Sequence, residues 1–411
     1  MIDLTGLIKA GDQVWWSQTS AEPTPLVHAL LDQLHTIGPV TAFVGLTFDK
    51  RVTRTPPDEL TVISYGALGD LRHLSKEGRL EVIPANYSAL PELFATGELP
   101  CDVALVQVSP PDENGLCSLG VGVDYAADAL RHTRVIIAEI NERMPATVGS
   151  ERIALSRFAA TVRTDRPLLQ APLTSPTPVD TAIAAVIADL IEDGDTIQLG
   201  VGALPSAVLA DLSEHRDLGV HSGLITDGVA DLVDLGVITG ARKEIDTGLI
   251  VTGAALGSTA FYDRLATLPV EFRPASYTHD PGTLSLLRSL VSINSAIEVD
   301  LSGQVNAEMR GGTYIGAVGG QSDFSRAASL SGARSIIAVR SRGGSHSTIV
   351  PIVSTVTTSR TDVDVVVTEY GAAHLRGCGF AERTRRLIDI AAPEHREALE
   401  RAAGSLAELT A

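Results

Sequence analysis

The sequence predicts an α/β protein made of two similarly built domains with largely parallel sheets. Three observations carry the prediction. Short, nearly unbroken apolar runs alternate with amphipathic helical patterns, as in sheets covered on both faces. A segment starting at Ile8 recurs in altered form from Ile191. The length of 411 residues also exceeds what a single hydrophobic core usually organises.

Strands are expected at 40–46 (VTAFVGL), 103–109 (VALVQVS), 134–140 (RVIIAEI), 196–202 (TIQLGVG), 335–341 (SIIAVRS) and 363–369 (VDVVVTE). Leu26, Val27, Leu30, Leu31 and Leu34 fall on one face of a helix, and 180–193 reads as another. The two related segments, IKAGDQVWWSQTSAEPTPLVHALLDQL and IEDGDTIQLGVGALPSAVLADL, start 183 residues apart, at Ile8 and Ile191. Each reads as a helix end, a Gly-Asp turn, a strand, a loop and a helix begun by proline. Between them, 163–180 carries four prolines and little periodicity, as a linker does. The domains are therefore expected to span 1–175 and 176–411.

A net charge of -18 works against binding polyanions, because affinity for nucleic acid comes largely from lysine and arginine on phosphates. Neither nucleic acid nor a membrane is an expected partner, whereas a small anionic ligand needs only a few placed donors. Cys101, Cys117 and Cys378 lie far apart with no CxxC pair, and free thiols are expected. The opening MIDLTGLIKAGDQVWW lacks a basic stretch followed by an apolar run, and nothing approaches the about 18 apolar residues of a membrane span. The expected location is cytoplasmic. With no HExxH and no close His/Asp cluster, no metal is expected. The run GGSHS at 343–347 lacks the last glycine of a nucleophile elbow, which argues against a serine hydrolase.

Three loops could carry chemistry. In QLGVGALP, Gly200 and Gly202 follow a strand and Pro205 marks a helix start, so free backbone amides could face an anion. TYIGAVGGQSDF places Gly316, Gly319 and Gly320 ahead of Asp323, and VSPPDENGLCSLGVGVDY follows the buried strand at 103–109. Each also reads as a plain turn. Among the carboxylates, Glu139, Glu298, Asp300, Glu308 and Glu369 stand at or near strand ends, where a charge can equally anchor a turn.

Taken together, the residues resemble one family, the acetyl-CoA hydrolases and 4-hydroxybutyrate-type CoA-transferases. The resemblance rests on DVALVQVSPPDENGLCSLGVGVDY, IIAEINERMPATVG, QLGVGALPSAVL, DLGVHSGLITDGV, INSAIEVDLSGQV, GGQSDF and VTEYGAAHLRG, in the family's order. It implies two tandem CoA-transferase-like domains with the active site between them, an acyl-CoA substrate that brings coenzyme A with it, and a homodimer. In such transferases a glutamate attacks the thioester and later carries CoA as an enzyme thioester. The family's H-T-E-M, followed shortly by S-D-G, stands here as His221, Ser222, Gly223, Leu224, then Thr226, Asp227, Gly228. Gly223 takes the glutamate's place and has no side chain to carry CoA. Two smaller departures are Ala317 for a glycine of the second loop and Thr348 for an arginine.

The resemblance thus implies an atypical acyl-CoA enzyme in which water replaces the glutamate, with room left for it at Gly223. Glu308 or Glu139 would act as general base. Backbone at Gly200, Gly202, Ala203, Gly316, Gly319 and Gly320 would hold the oxyanion and CoA, and Ser109, Pro110, His221, Ser222 and Asn294 would line the substrate pocket. The reaction would be hydrolysis of a thioester or of a carbon–carbon bond in a CoA-linked substrate. A CoA-transferase that uses another carboxylate, or passes CoA directly to a carboxylate acceptor, is the alternative; a non-catalytic CoA-ligand binder is the third reading. If the rest of the site is intact, Gly223→Glu is expected to create or raise CoA transfer.

Overall fold

The computed structural model describes residues 2–99, 101–149, 151–170 and 175–410, with 405–410 described as backbone only. Seven strands form the first sheet: β1 Gln13–Trp16, β2 Val40–Phe43, β3 Leu60–Ser64, β4 Leu80–Val82, β5 Val103–Val108, β6 Val135–Asn141 and β7 Ala160–Thr164. Their order is β4-β3-β2-β1-β5-β6-β7, and every neighbouring pair is parallel. The second sheet holds β8 Thr196–Leu199, β9 Gly219–Ile225, β10 Ile250–Ala255, β11 Val270–Phe272, β12 Leu290–Ser295, β13 Arg334–Ala338, β14 Val365–Thr368 and β15 Gly371–His374. It repeats the same topology, β11-β10-β9-β8-β12-β13-β14-β15, with only the last pair antiparallel.

The six strands read from apolar runs are all present. The expected strand at 196–202 ends at Leu199, because Gly200 to Gly202 leave the sheet for a loop. Near-continuous apolar strands suit parallel sheets with covered faces, and all six residues of β5 are buried. Adjacent Trp15 and Trp16 point to opposite faces of β1. Trp15 joins a core that runs through both halves of the chain, while Trp16 packs with Leu26, Leu30 and Leu34 of the helix Thr24–Ile37 in a core of the first half alone.

The stretch expected as a linker, 163–180, is shorter than its prolines suggested. Arg163 and Thr164 close β7, and Pro178 opens the helix Pro178–Ala188; residues 171–174 lie outside the described residues. That helix starts with a capping box of Thr177 and Asp180. The Asp180 carboxylate also takes Nε and Nη2 of Arg340 at 2.9 and 2.8 Å, tying the helix to the end of β13. Among the described residues no helix is long and apolar enough to cross a membrane.

The two halves meet backbone to backbone. Tyr87 N donates to Gly319 O at 2.9 Å and Ala67 N to Gly316 O at 2.8 Å, while Val123 N donates to Gly253 O at 3.0 Å. Asp323 accepts from Ser88 N and Oγ at 3.0 and 2.6 Å, and Asp128 accepts from Ser276 N and Oγ at 3.0 and 2.6 Å.

Candidate active site

Gly223 lies near the carboxyl end of β9, where that strand faces the loops of the first half. The expectation that its missing side chain leaves room for water is corrected by His279. A Cβ at position 223 would stand 2.8 Å from His279 Cε1 and 2.9 Å from Nε2, so the imidazole fills that space. A Cβ on Gly320 would stand 2.6 Å from the same Nε2, so the ring sits between two glycines. Glycine at both positions is what lets a ring lie so close to two backbones.

His279 is 4% exposed. Tyr87 and Phe324 pack against its ring at centroid distances of 4.6 and 5.0 Å. Burial, with His221 nearby, drops its pKa to about 3, which keeps it neutral at ordinary pH. Thr278 Oγ1 donates to the Pro274 carbonyl at 3.2 Å, so Nδ1–H of His279 donates to Thr278 Oγ1 at 2.9 Å. This assigns the proton to Nδ1 and leaves the Nε2 lone pair facing Gly223 and Gly320. His221 is also neutral, pushed down to about 4 chiefly by burial. Its Nε2 donates to Thr278 O at 3.2 Å, and its Nδ1 is buried without a partner among the described residues. Ser222, the next residue, turns the other way and donates to Leu199 O at 3.0 Å.

A buried polar network from the first half lies against the same place. Gln18 Nε2 donates to Tyr87 Oη and to Asp124 Oδ2, both at 2.8 Å, while Oε1 accepts from Tyr65 Oη at 3.0 Å and Leu46 N at 2.9 Å. All of the Gln18 amide capacity on that side is used, which fixes its orientation. Asp124 opens the helix Asp124–Leu130, and burial pushes its pKa up to about 6. A Cβ on Gly253 would stand 3.0 Å from Gly223 O and 3.3 Å from Asp124 Cβ, so Asp124 and Gly223 approach each other across that glycine.

The first glycine loop borders open space. Nothing lies within 4 Å of a Cβ built on Gly200 or Gly202, and Gly202, at φ +123°, precedes the helix Ala203–Asp211. The amides of that first helical turn have no partner within the helix. Gly202 and Ala203 border a cavity of about 430 Å³ that Arg310, Arg340, Arg342 and Thr348 also line. Gly200 and Asn294 border a smaller one of about 120 Å³. Asn294 is held there by Gln198 and Ser292. On its other side, Gly202 borders a cavity of about 500 Å³ with Asp227, Gly257 and Ser258.

The second loop is packed against protein. A Cβ on Gly316 would stand 2.0 Å from Ala307 O, and the Ala317 methyl lies against Gly66 of the first half. Gly319 takes φ +52° with nothing near its Cβ direction. Glu308 lies under this loop, 3% exposed, accepting from Thr357 Oγ1 at 2.8 Å and Tyr314 Oη at 3.1 Å.

Glu139 is enclosed. Its side chain is fully buried, Arg166 grips both oxygens at 2.6 and 2.8 Å, and Thr164 Oγ1 donates at 2.6 Å. Ser109 is tied into the following turn: its Oγ accepts from Ser118 N at 2.9 Å and donates to Pro110 O at 3.0 Å. Asp300 and Glu369 anchor turns, through Ser302 and Gln304 in one case and Ser341 in the other. All three cysteines are free. Among the described residues no group of three or more His, Cys, Asp or Glu could hold a metal ion.

The sequence singles out the glycine loops, Gly223 and Glu308 as candidates; His279, Asp124 and Gln18, which the packing sets near Gly223, were not among them. Asp124 lies inside the motif VSPPDENGLCSLGVGVDY, yet nothing in its spacing sets it apart from other acids. No motif marks His279.

Comparison with known proteins fits this architecture. The model of the acetyl-CoA hydrolase/transferase N-terminal domain matches residues 2–186, and that of the C-terminal domain matches 257–403. Gly200, Gly202 and Gly223 fall in the segment between the two matches. A 4-hydroxybutyrate coenzyme A transferase of Clostridium kluyveri is 44% identical over 338 residues, 80% of this chain and 79% of that protein. A succinyl-CoA:cyclohexane-1-carboxylate CoA transferase of Geobacter metallireducens is 33% identical, covering 98% of this chain and 94% of its own. The crystal structure of RipA from Yersinia pestis superposes with a TM-score of 0.91 at 34% identity, over 98% of this chain and 96% of that one. With matches of this extent at both ends, the chain belongs to the acetyl-CoA hydrolase/transferase family, as an enzyme of the CoA-transferase fold.

Proposed function

We propose that this enzyme hydrolyses an acyl-CoA thioester by direct attack of water, without a covalent enzyme–CoA intermediate. One observation carries the reading: no carboxylate stands at position 223, and a neutral imidazole fills its place beside the buried Asp124 network. Water adds to the thioester carbonyl carbon and gives a proton to a base. The tetrahedral oxyanion collapses, the carbon–sulfur bond breaks, and the CoA thiolate leaves and takes up the proton. Amides at Gly200, Gly202 and Ala203 suit the oxyanion. The arginines of the 430 Å³ cavity suit the phosphates of coenzyme A.

Asp124, raised to about 6, has the pKa that general-base work near neutrality favours. Glu308, between two hydroxyls, is the second candidate. Glu139, with both oxygens held by Arg166, serves to position the chain. The remaining sites follow: Gly316, Gly319 and Gly320 seat the ligand beside His279, and Ser109, Pro110, His221, Ser222 and Asn294 shape the pocket. The same reading takes 175/176 as the domain boundary and a homodimer as the working form.

A second reading has its own support. The relatives are named as transferases, and Asp124 is a carboxylate close to the glutamate's place, so CoA transfer through Asp124 to a carboxylate acceptor competes with hydrolysis. Mass-spectrometric product analysis with a panel of acyl-CoAs, with and without excess acetate or succinate, separates the two. Acceptor-independent release of free CoA supports hydrolysis, and a cleaved acyl chain places the break at a carbon–carbon bond. A new acyl-CoA formed only when acceptor is present refutes the hydrolytic reading.

A further inference from the structure

At position 223 the site has been filled as well as emptied. A transferase glutamate there needs its side chain to leave the backbone in the Cβ direction, and in this chain that direction ends on the His279 ring at 2.8 Å. Real Cβ atoms do not tolerate such contacts, so something must shift before any side chain fits at 223. The ring is not a free end that can swing aside. Tyr87 packs on one side and Phe324 on another, Nδ1 is fixed by Thr278, and Gly320 closes in at Nε2. Tyr87 is itself held by Gln18.

We propose that His279 is the specificity-determining residue of this site: its ring occupies the space a CoA-carrying side chain at 223 would need, and so excludes covalent transfer through that position. Gly223, Gly320 and His279 form one unit, and changing position 223 alone does not restore a transferase. On this proposal the expected gain of transfer from Gly223→Glu, which supposed the rest of the site intact, needs a second change at His279. The inference rests on the family's glutamate position aligning with Gly223, and it names what enforces the hydrolytic reading. His279 is a positioning residue here: it acts by filling the space beside Gly223 and Gly320, and no proton transfer is asked of it.

The test uses the full chain in four forms: wild type, Gly223→Glu, His279→Ala and the double variant Gly223→Glu/His279→Ala. Each is incubated with an acyl-CoA and then read by intact mass for a gain of one CoA less one water. Each is also assayed for acetate-dependent formation of acetyl-CoA. The expected result is adduct and transfer in the double variant, and transfer at least about tenfold lower in Gly223→Glu alone. Equal adduct and transfer in Gly223→Glu alone overturns the proposal, and so does a folded, acyl-CoA-binding double variant that forms no adduct.

If the double variant does not fold, Gly223→Ala and Gly223→Ala/His279→Ala carry the test through their melting temperatures. The single variant is expected to melt below wild type, and His279→Ala to remove most of the added loss. Strictly additive losses overturn the proposal. Wild-type hydrolysis is read separately: a wild type that does not hydrolyse, beside a double variant that transfers, sinks the proposed function and leaves His279 in its role.

Discussion

Replacing Arg166 with methionine separates a structural Glu139 from a catalytic one. Glu139 is completely buried, and three donors from two residues hold it: Nε and Nη2 of Arg166 and Oγ1 of Thr164. Removing one partner of a buried pair leaves a charge with neither water nor counter-ion, which typically costs 3–5 kcal/mol. Arg166 itself is 21% exposed, so water can reach part of the space it leaves, and about 3 kcal/mol is the figure to expect. The Glu22 carbonyl loses the Arg166 Nη2 bond at 2.8 Å but keeps that from Gln107 at 3.1 Å, so it adds little. About 3 kcal/mol is more than a hundredfold in an equilibrium constant. It is read as a drop in the urea midpoint of the transition that reports the first half. Glu139→Gln/Arg166→Met is expected to recover part of the loss, because no charge is then left unpaired. Turnover per folded molecule should stay near wild type in both. A single variant within about 0.5 kcal/mol of wild type would show that water already screens the pair. A Glu139→Gln enzyme that is stable but inactive would make Glu139 the base.

The other predictions concern pH, catalysis and binding. Burial raises Glu22 from 4.5 to about 7, and its Oε1 has no partner among the described residues. The folded state therefore holds a proton that the unfolded state has lost, so stability is full below pH 4.5 and falls as pH rises to about 7, by about 3 kcal/mol. Thermal melts of Glu22→Gln across that range should lack this part of the slope; an unchanged slope refutes the assignment. Asp124→Asn is expected to lower kcat about a hundredfold with little change in KM, and the wild-type rate should rise with pH through about 6 as the base loses its proton. A flat profile, or an Asp124→Asn enzyme at full rate, transfers the role to Glu308. Gly202→Leu combines a φ of +123° that L-residues resist with a side chain in the binding cavity. Titration calorimetry should show acyl-CoA binding at least about tenfold weaker, and unchanged affinity removes that loop from the site.

The fold was legible because parallel strands buried on both faces write themselves as apolar runs. β5, β6, β8, β13 and β14 all fall where such runs lie. The glycine loops were legible for a related reason: glycine is used where backbone must turn or come close, as at Gly202 and Gly316. The chemistry between the loops was hidden. Whether a strand-end carboxylate is a base or a strut depends on its partners, and Arg166 reaches Glu139 from 27 residues away through a turn that no periodicity announces. A glycine reads as empty space in one dimension. Only packing shows that His279, brought in by the short helix Ala275–Thr278 that precedes it, fills it.

The repeated topology explains why His279, Gln18 and Asp124 come together where they do. β1 and β8 occupy the same central place in their sheets, and in parallel sheets the ligand-bearing loops gather at the carboxyl ends of the strands. Here the loops of one half close onto those of the other: the turn after β3 meets Gly316 and Ala317, the turn after β4 meets Gly319, and Gly122 meets Ala254. Backbones can approach that closely only where side chains are small, so the seam is rich in glycine and alanine. The few large groups admitted, Tyr87, His279 and Phe324, interlock as a result. A seam built this way couples chemistry to assembly. His279 comes from the second half, Gln18 and Asp124 from the first, and Tyr87 touches both His279 and Gln18. The proposed site is therefore complete only when the halves are docked. Substitutions at Ser88 or Asp323, whose hydrogen bonds at 3.0 and 2.6 Å cross the seam without touching the cavity glycines, should lower activity in proportion to the loosening of that docking.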